Sequence, residues 1–248
     1  MNIVGIKTRR IVPPQDKLSD LLSFIPKLKE GSIVAISSKV ISICEGHTIP
    51  ANSITHEELV TKLAGSSLEP IKRGANDMVL TQVGNVLVES AGVDISNADN
   101  YYVLLPRNPF KSAKEVWQFL RKRDHIKRLG VVITDSHSVP RRQGAIGFAL
   151  ASYGFKATHV YEDEKDIFGH KFHFTAADVA DSVAASAVLV MGEGNEQTPV
   201  ALISKLDGVD FFKRTLPLAT VRKYAWVHPD LDVYTPLLNS KLWHSVRK

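Results

Sequence analysis

Cysteine is nearly absent. Cys44 is the only one in 248 residues, which excludes an internal disulfide and fits a reducing compartment. Long apolar runs are also missing: no stretch approaches the ~20 residues that a membrane-spanning helix needs. The opening residues, MNIVGIKTRR, lack the basic-then-apolar order of a secretory signal. The expectation is a cytoplasmic protein with no membrane partner. The chain contains no Gly-x-x-x-x-Gly-Lys-Ser/Thr phosphate loop, no Gly-x-Ser-x-Gly elbow, no His-Glu-x-x-His and no Cys-x-x-Cys. The commonest NTPase, hydrolase, zinc-protease and dithiol readings therefore go. No internal repeat or low-complexity linker divides the chain.

What is present is ordinary globular material, 44% hydrophobic and 23% charged, in a chain long enough for one large domain or two small interlocked ones. The net charge is +5. Basic residues gather at Arg121-Lys122-Arg123 with Lys127 and Arg128, at Arg141-Arg142, and in the tail. That charge suits a polyanion, either nucleic acid or the phosphates of a nucleotide. A solvated helix face is an equal reading for residues 121–128.

The pattern predicts strands over 2–7 and 32–37, both rich in β-branched residues. Between them Asp16 is a candidate cap for a short helix carrying Leu18, Leu21, Leu22 and Ile25, stopped by Pro26. Thr55 and Glu58 have capping-box spacing for a helix over 55–65. Residues 78–90 read as a hairpin turning at Gly84-Asn85, and 101–106 as a strand. Val116, Phe119, Leu120 and Arg123 mark a helix over 112–126. A short apolar strand over 129–135 delivers Asp135 to its C-terminal end. Residues 144–155 alternate small and apolar types, as in a buried strand closely approached by other backbone. A small-residue helix over 175–192, with Thr175 as its cap, precedes a strand at 199–204. Strands and helices mix without regular alternation, so the expected fold class is α+β, with mixed sheets and flanking helices.

Three segments carry candidate chemistry. ESAGVDISN (89–97) places Asp94 and Asn97 in a loop after a glycine turn. VVITDS (131–136) presents Asp135. VMGEGNEQTP (190–199) holds Glu193 between two glycines. Carboxylates at element ends suit a hard cation such as Mg²⁺ or Mn²⁺, and glycines let backbone N–H groups approach phosphate oxygens. Each feature alone is more often a turn, cap or helix stop. His170 and His173, three apart in a turn and strand, read as non-metal residues.

SSKVISICEG (37–46), SAGVDISN (90–97), GVVITDS with RRQGAIG (130–147), and DIFGHKFHFTAADVADSVAASAVLVMGEGNEQTP (166–199) together resemble the coenzyme F420-0:L-glutamate ligase (CofE) family. The resemblance runs from about residue 3 to 204, leaving 205–248 as a divergent C-terminal segment. It implies an α+β, CofE-like fold in an intertwined homodimer. It also implies nucleotide-dependent γ-glutamyl ligation with L-glutamate as co-substrate and two divalent ions, Mg²⁺ or Mn²⁺, with K⁺ as a further candidate. By position, Asp94 and Asp135 would hold one metal, and Ser136 and Glu193 the other. Arg9, Arg10, Ile11, Val12, Ser38, Lys39 and Asn97 would contact GTP or ATP. So would Met191, Gly192, Gly194, Asn195, Glu196, Gln197 and Thr198. Arg141 or Arg142 is a candidate anion clamp.

The chain departs from the family pattern at Ile43, where many relatives carry Lys, at His170, and over His137-Ser138-Val139-Pro140. Its wording (SICEG, TDS, MGEGNEQTP) resembles a bacterial branch associated with folate-metabolism γ-glutamate ligation, so F420-0-like and folate acceptors both fit. Trp226, Tyr234 and Trp243 are aromatics able to stack on a flat ring, or simply packing residues. The other function class is a catalytically inactive, basic nucleotide- or RNA-binding module on the same scaffold. The retained acids speak against it, which makes nucleic acid the lesser partner.

Overall fold

A computed structural model describes residues 1–73 and 76–245. The terminal basic pair Arg247-Lys248 lies outside the described residues. In chain order the principal elements are β1 (Asn2–Ile6), α1 (Leu18–Ser23), β2 (Ser32–Ser37), α2 (Ser38–Cys44), α3 (His56–Leu63), β3 (Leu80–Val83), β4 (Val86–Glu89), α4 (Pro109–Asp124), β5 (Leu129–Ser138), β6 (Ala145–Tyr153), α5 (Val179–Met191), β7 (Val200–Ser204) and α6 (Leu218–Ala225). The class is α+β, as expected.

The main sheet has five strands in the order β1-β7-β2-β5-β6. Only β2 and β5 pair in parallel; the other pairings are antiparallel. Alternation along each strand fills two cores. Ile33, Ala35, Val132, Ala201 and Ile203 face α5. Val34, Ile36, Val131, Ile133 and Val200 face the opposite layer, with Trp117 and Leu120 of α4. Burial on both faces is why SIVAIS and GVVIT carry no polar alternation.

Several boundaries differ from expectation. β5 does not stop at Asp135 but runs to Ser138. Its parallel neighbour β2 ends first, with Thr134 opposite Ser37. Asp135 is therefore the first residue beyond its neighbour's end, held by β6 alone. α4 starts at Pro109 rather than 112, because Asn108 accepts the Lys111 N–H at 3.1 Å and Pro sits in the first turn. α5 starts at Val179: Asp178 caps it through the Asp181 N–H at 2.8 Å. Thr175 cannot cap, since residues 176–178 are spent in a two-stranded ladder with 158–160. Asp16 is not the cap of α1 either. Lys17 is, and Asp20 accepts the Lys17 N–H at 2.9 Å.

A smaller layer holds the β3–β4 hairpin, which turns at Gly84-Asn85 as expected. Beside it lies α3, with the Thr55–Glu58 capping box formed. Tyr101–Val103 pairs with Thr48–Pro50, and Val103 also exchanges backbone hydrogen bonds with Asp94 (2.7 and 3.0 Å), fixing that residue's loop. Residues beyond 204 are not an appendage. Phe212 and Val221 are buried in the same core as Trp117. The Tyr153 hydroxyl donates to Leu216 O (2.7 Å) and accepts from Leu216 N (2.9 Å). Among the described residues no helix is long and apolar enough to cross a membrane.

Candidate active site

The end of β2, the loop after β4, the middle of β5 and the loop after α5 converge on one cavity of about 620 Å³. Asp94, Asp135, Ser136 and Glu193 all line it. So do Arg9 to Val12 on one wall, Lys39 and Asn97 on another, and the Met191–Thr198 loop on a third. Ser38 stands behind this lining and reaches it by donating its hydroxyl to Asp135 Oδ2 at 3.0 Å. Arg141 and Arg142 are not brought in: they sit exposed in the turn between β5 and β6.

Consecutive strand residues face opposite sides, and this sorts the acids. Asp135 lies opposite Phe148, which belongs to the α4-side core. Ser136 lies opposite Gly147 and faces α5. A Cβ on Gly147 would stand 2.5 Å from Val188 Cβ and 2.9 Å from Ala184 O, so α5 approaches this strand at backbone distance, as the small-residue pattern predicted. That approach brings the loop after α5 to Ser136, whose hydroxyl donates to Glu193 Oε2 at 3.1 Å.

Asp94 and Asp135 have opposite electrostatic environments. Burial pushes the Asp135 carboxyl up to about 6, and the neighbouring Asp94 charge adds to that rise. Hydrogen bonds from Ser136 N and Ser38 oppose it. Burial also acts on Asp94, but the Lys39 ammonium, 2.6 Å from Oδ2, and the Ser96 N–H at 2.7 Å outweigh it. Asp94 is thereby held below the usual carboxylate range. Lys39 also donates to Ser96 O and Oγ (3.0 and 2.9 Å).

The glycine-rich loop is tied on both sides. Asn97 Nδ2 donates to Gly194 O at 2.9 Å, and Thr8 N donates to Gln197 O at 3.0 Å. Glu196 curls back so that its carboxylate accepts Gly194 N–H at 2.9 Å. Gly192, at φ +82°, leaves the room for that carboxylate, because a Cβ there would overlap it. One of the loop's backbone donors is thus already engaged by an internal anion. On the opposite wall Arg9 pairs with Asp16, which also accepts the Val12 N–H at 2.6 Å.

Sequence reasoning passed over Asp99, which also lines the cavity. A signal existed: Asn97, Asp99 and Asn100 all adopt positive φ, a conformation that Asn and Asp tolerate best. Ile43, the departure from the family's Lys, borders the cavity but is 1% exposed and packed in the core. The Cys44 thiol is pushed up to about 12 by burial, then by Asp16 and Asp20, so it carries no thiolate chemistry at neutral pH.

The basic cluster at 121–128 is largely internal structure. Arg121 stacks over Trp117 at 4.2 Å and donates to Ile126 O. Arg123 donates to Leu22, Ile25 and Pro26 carbonyls and pairs with Asp124. Arg128 pairs with Glu30. The three arginines close the C-terminal end of α4 onto residues 22–30, while Lys122 and Lys127 stay exposed. His170 contacts Asp166, and His173 lies beside Phe174.

Fold and site together define an enzyme framework in which acids, a glycine-rich loop and cations line one cleft. Residues 5–205 match the family model described as F420-0:gamma-glutamyl ligase. The chain is 31% identical to the coenzyme F420:L-glutamate ligase of Methanopyrus kandleri, covering 83% of this chain and 87% of that protein. The same-named proteins of Methanocaldococcus jannaschii (32%; 76% and 81% covered) and Halobacterium salinarum (32%; 77% and 82% covered) are similar to it as well. The chain belongs to the F420-0:gamma-glutamyl ligase family, and its class is that of ligases forming a C–N bond.

Proposed function

We propose that this protein uses GTP or ATP to join L-glutamate, through its amine, to a carboxylate of an F420-0-like acceptor, with a folate-type acceptor as the second candidate. The observation that carries this reading is the meeting, in one cleft, of paired acids on both faces of β5 with a tied glycine-rich loop and the cations Arg9, Arg10 and Lys39. A free carboxylate is a poor electrophile. An acceptor carboxylate oxygen attacks the γ-phosphorus, the bond to the β-phosphate bridge breaks, and the nucleoside diphosphate leaves. The glutamate amine then attacks the acyl carbon of the acyl phosphate, inorganic phosphate leaves with its oxygen, and the amine proton passes to solvent.

The donor set fits two divalent ions such as Mg²⁺ or Mn²⁺. Asp94, Asp135, Ser136 and Glu193 offer only hard oxygen atoms, and burial, with the Asp94 charge added to it, raises Asp135 in a way that an added cation would relieve. Among the described residues no three His, Cys, Asp or Glu side chains converge into a ready-made metal cluster. Asp94 with Asp135, and Ser136 with Glu193, would therefore serve as two separate donor pairs, leaving room for phosphate oxygens and water. When bound, such ions offset charge on the phosphate oxygens. The chain's own contributions are distinct. Lys39 keeps Asp94 ionised, Ser38 orients Asp135, and Asn97 locks the Asp94 loop to the glycine-rich loop, so that both walls hold one nucleotide.

An intertwined homodimer belongs to the same reading. Ile167, Phe168 and Phe174, on the segment between the 158–160 and 176–178 strands, are 93%, 79% and 99% exposed, and Leu189 on the outer face of α5 is 85% exposed. Apolar exposure on that scale suits a partner subunit. Sedimentation of wild type against Phe168→Asp/Phe174→Asp tests it: the wild type runs as a dimer and the variant as a monomer.

Mass spectrometry of products tests the ligase. Incubation with nucleotide, Mg²⁺ or Mn²⁺, L-glutamate and F420-0 should add one glutamyl mass, with nucleotide hydrolysis in step. Folate replaces F420-0 in a parallel arm. Failure of both acceptors, with salt-sensitive RNA binding instead, would sink this reading.

A further inference from the structure

A second cavity, about 380 Å³, opens along β6, the edge strand of the main sheet. Its aromatic lining comes from two distant parts of the chain. His137 and Phe148 of the β5–β6 hairpin are in ring contact at 4.7 Å, and Trp226 and Tyr234 arrive from beyond residue 205, where the family match ends. Trp226 is braced edge-on by Phe110 at 5.2 Å, with the Arg222 guanidinium 5.7 Å from its ring. Ser152, 1% exposed, also lines this cavity, and its hydroxyl has no hydrogen-bond partner among the described residues.

The two cavities differ in the cations they offer. The first carries Arg9, Arg10 and Lys39 beside its carboxylates. The charged residues lining the second are Asp178, Asp181 and Asp232, with neither Lys nor Arg among them. Without a Lys or Arg in the lining, a phosphate chain finds no countercharge there. A flat, neutral ring bearing N–H or O–H donors fits, stacking on the aromatics and donating to the carboxylates and Ser152. The cavities adjoin through one strand: Ser136 lines the first and His137 the second, while Phe148 of the second pairs across from Asp135 of the first.

We propose that the second cavity is the acceptor's ring subsite, where Trp226 and Tyr234 stack on a planar heterocycle and leave its carboxylate-bearing end at Asp135. The assignment rests on the ligase reading for the identity of the acceptor, but ring binding is measurable without turnover. The probes are a free 5-deazaflavin and pteroic acid, both lacking glutamate, titrated by fluorescence against the full chain with and without saturating nucleotide. The ring that binds should do so with nucleotide present. Trp226→Ala should weaken it about tenfold or more and raise the acceptor KM by a similar factor, with nucleotide and glutamate KM within twofold of wild type. Tyr234→Ala, at a 62% exposed position, should act in the same direction without endangering the fold. Binding of neither ring, binding unaffected by both variants, or binding abolished by nucleotide overturns the subsite even if ligation of intact acceptor is normal. Ring binding sensitive to Trp226→Ala, without any glutamyl transfer, supports the subsite and overturns the ligase reading instead.

Discussion

Lys39 Nζ lies 2.6 Å from Asp94 Oδ2. The pair joins the first turn of α2 to the loop after β4, and it puts a fixed positive charge beside Asp94 and its neighbour Asp135. Lys39→Met should remove that charge without blocking the cleft. The expected result is a loss of ~10²–10³ in kcat/KM for the nucleotide, with normal circular dichroism. Steady-state kinetics at several Mg²⁺ concentrations would show whether extra metal restores activity; full rescue would mean that Lys39 serves only to neutralise Asp94.

Asp135→Asn keeps the shape of the side chain and its hydrogen bond from Ser38. Turnover should fall at least ~10²-fold. The metal-free variant should melt no lower than wild type at neutral pH, because a charge that burial disfavours has been replaced by a neutral amide. Wild-type rates with Mg²⁺ or Mn²⁺ would show that Asp135 has no part in metal binding.

Gly147→Ala tests the close approach of α5 to β6. The added methyl meets Val188 Cβ at 2.5 Å and a backbone oxygen at 2.9 Å, so the helix must move. Overpacking of this kind costs about 1–3 kcal/mol, read by denaturant titration. Because Gly147 pairs with Ser136, the shift should also separate Ser136 from Glu193 and reduce kcat. A stable variant with full activity would place the tolerance elsewhere.

Asp124 supplies one pH-dependent contribution to stability. Hydrogen bonds from Arg123, then the Leu28 N–H at 3.0 Å, outweigh its burial and hold its carboxyl below the ordinary 3.8. A depressed folded-state value stabilises the fold above the unfolded value and loses that contribution as pH falls through the folded one. Asp124→Ala should thus cost ~1.5–3 kcal/mol at pH 7. The gap from wild type should narrow steadily below about pH 4. A gap of constant size from pH 7 to pH 3 would contradict the assignment.

The sequence by itself determined whatever rests on contacts a few residues apart. The Thr55–Glu58 box, the Gly84-Asn85 turn, the doubly buried strands and the α+β class were all legible, because capping, turn geometry and face periodicity are local. The acids Asp94, Asp135 and Glu193 and their loop contexts were equally visible. Tertiary structure decided the rest. Ser38–Cys44 is a helix although five of its residues are β-branched or serine, since burying Val40, Ile41 and Ile43 overrides weak intrinsic preference. Pairing with residues 158–160 moved the cap of α5 from Thr175 to Asp178. Carbonyls of residues 22–26, almost a hundred positions away, turned Arg123 from a candidate polyanion contact into a brace. Register did the most for the site. β2 ends opposite Thr134, so Asp135 and Ser136 lie past its end, and strand alternation turns them to opposite faces, where one meets Ser38 beside Asp94 and the other meets Glu193. No local pattern encodes where a neighbouring strand stops, and that stopping point sets how the acids are grouped.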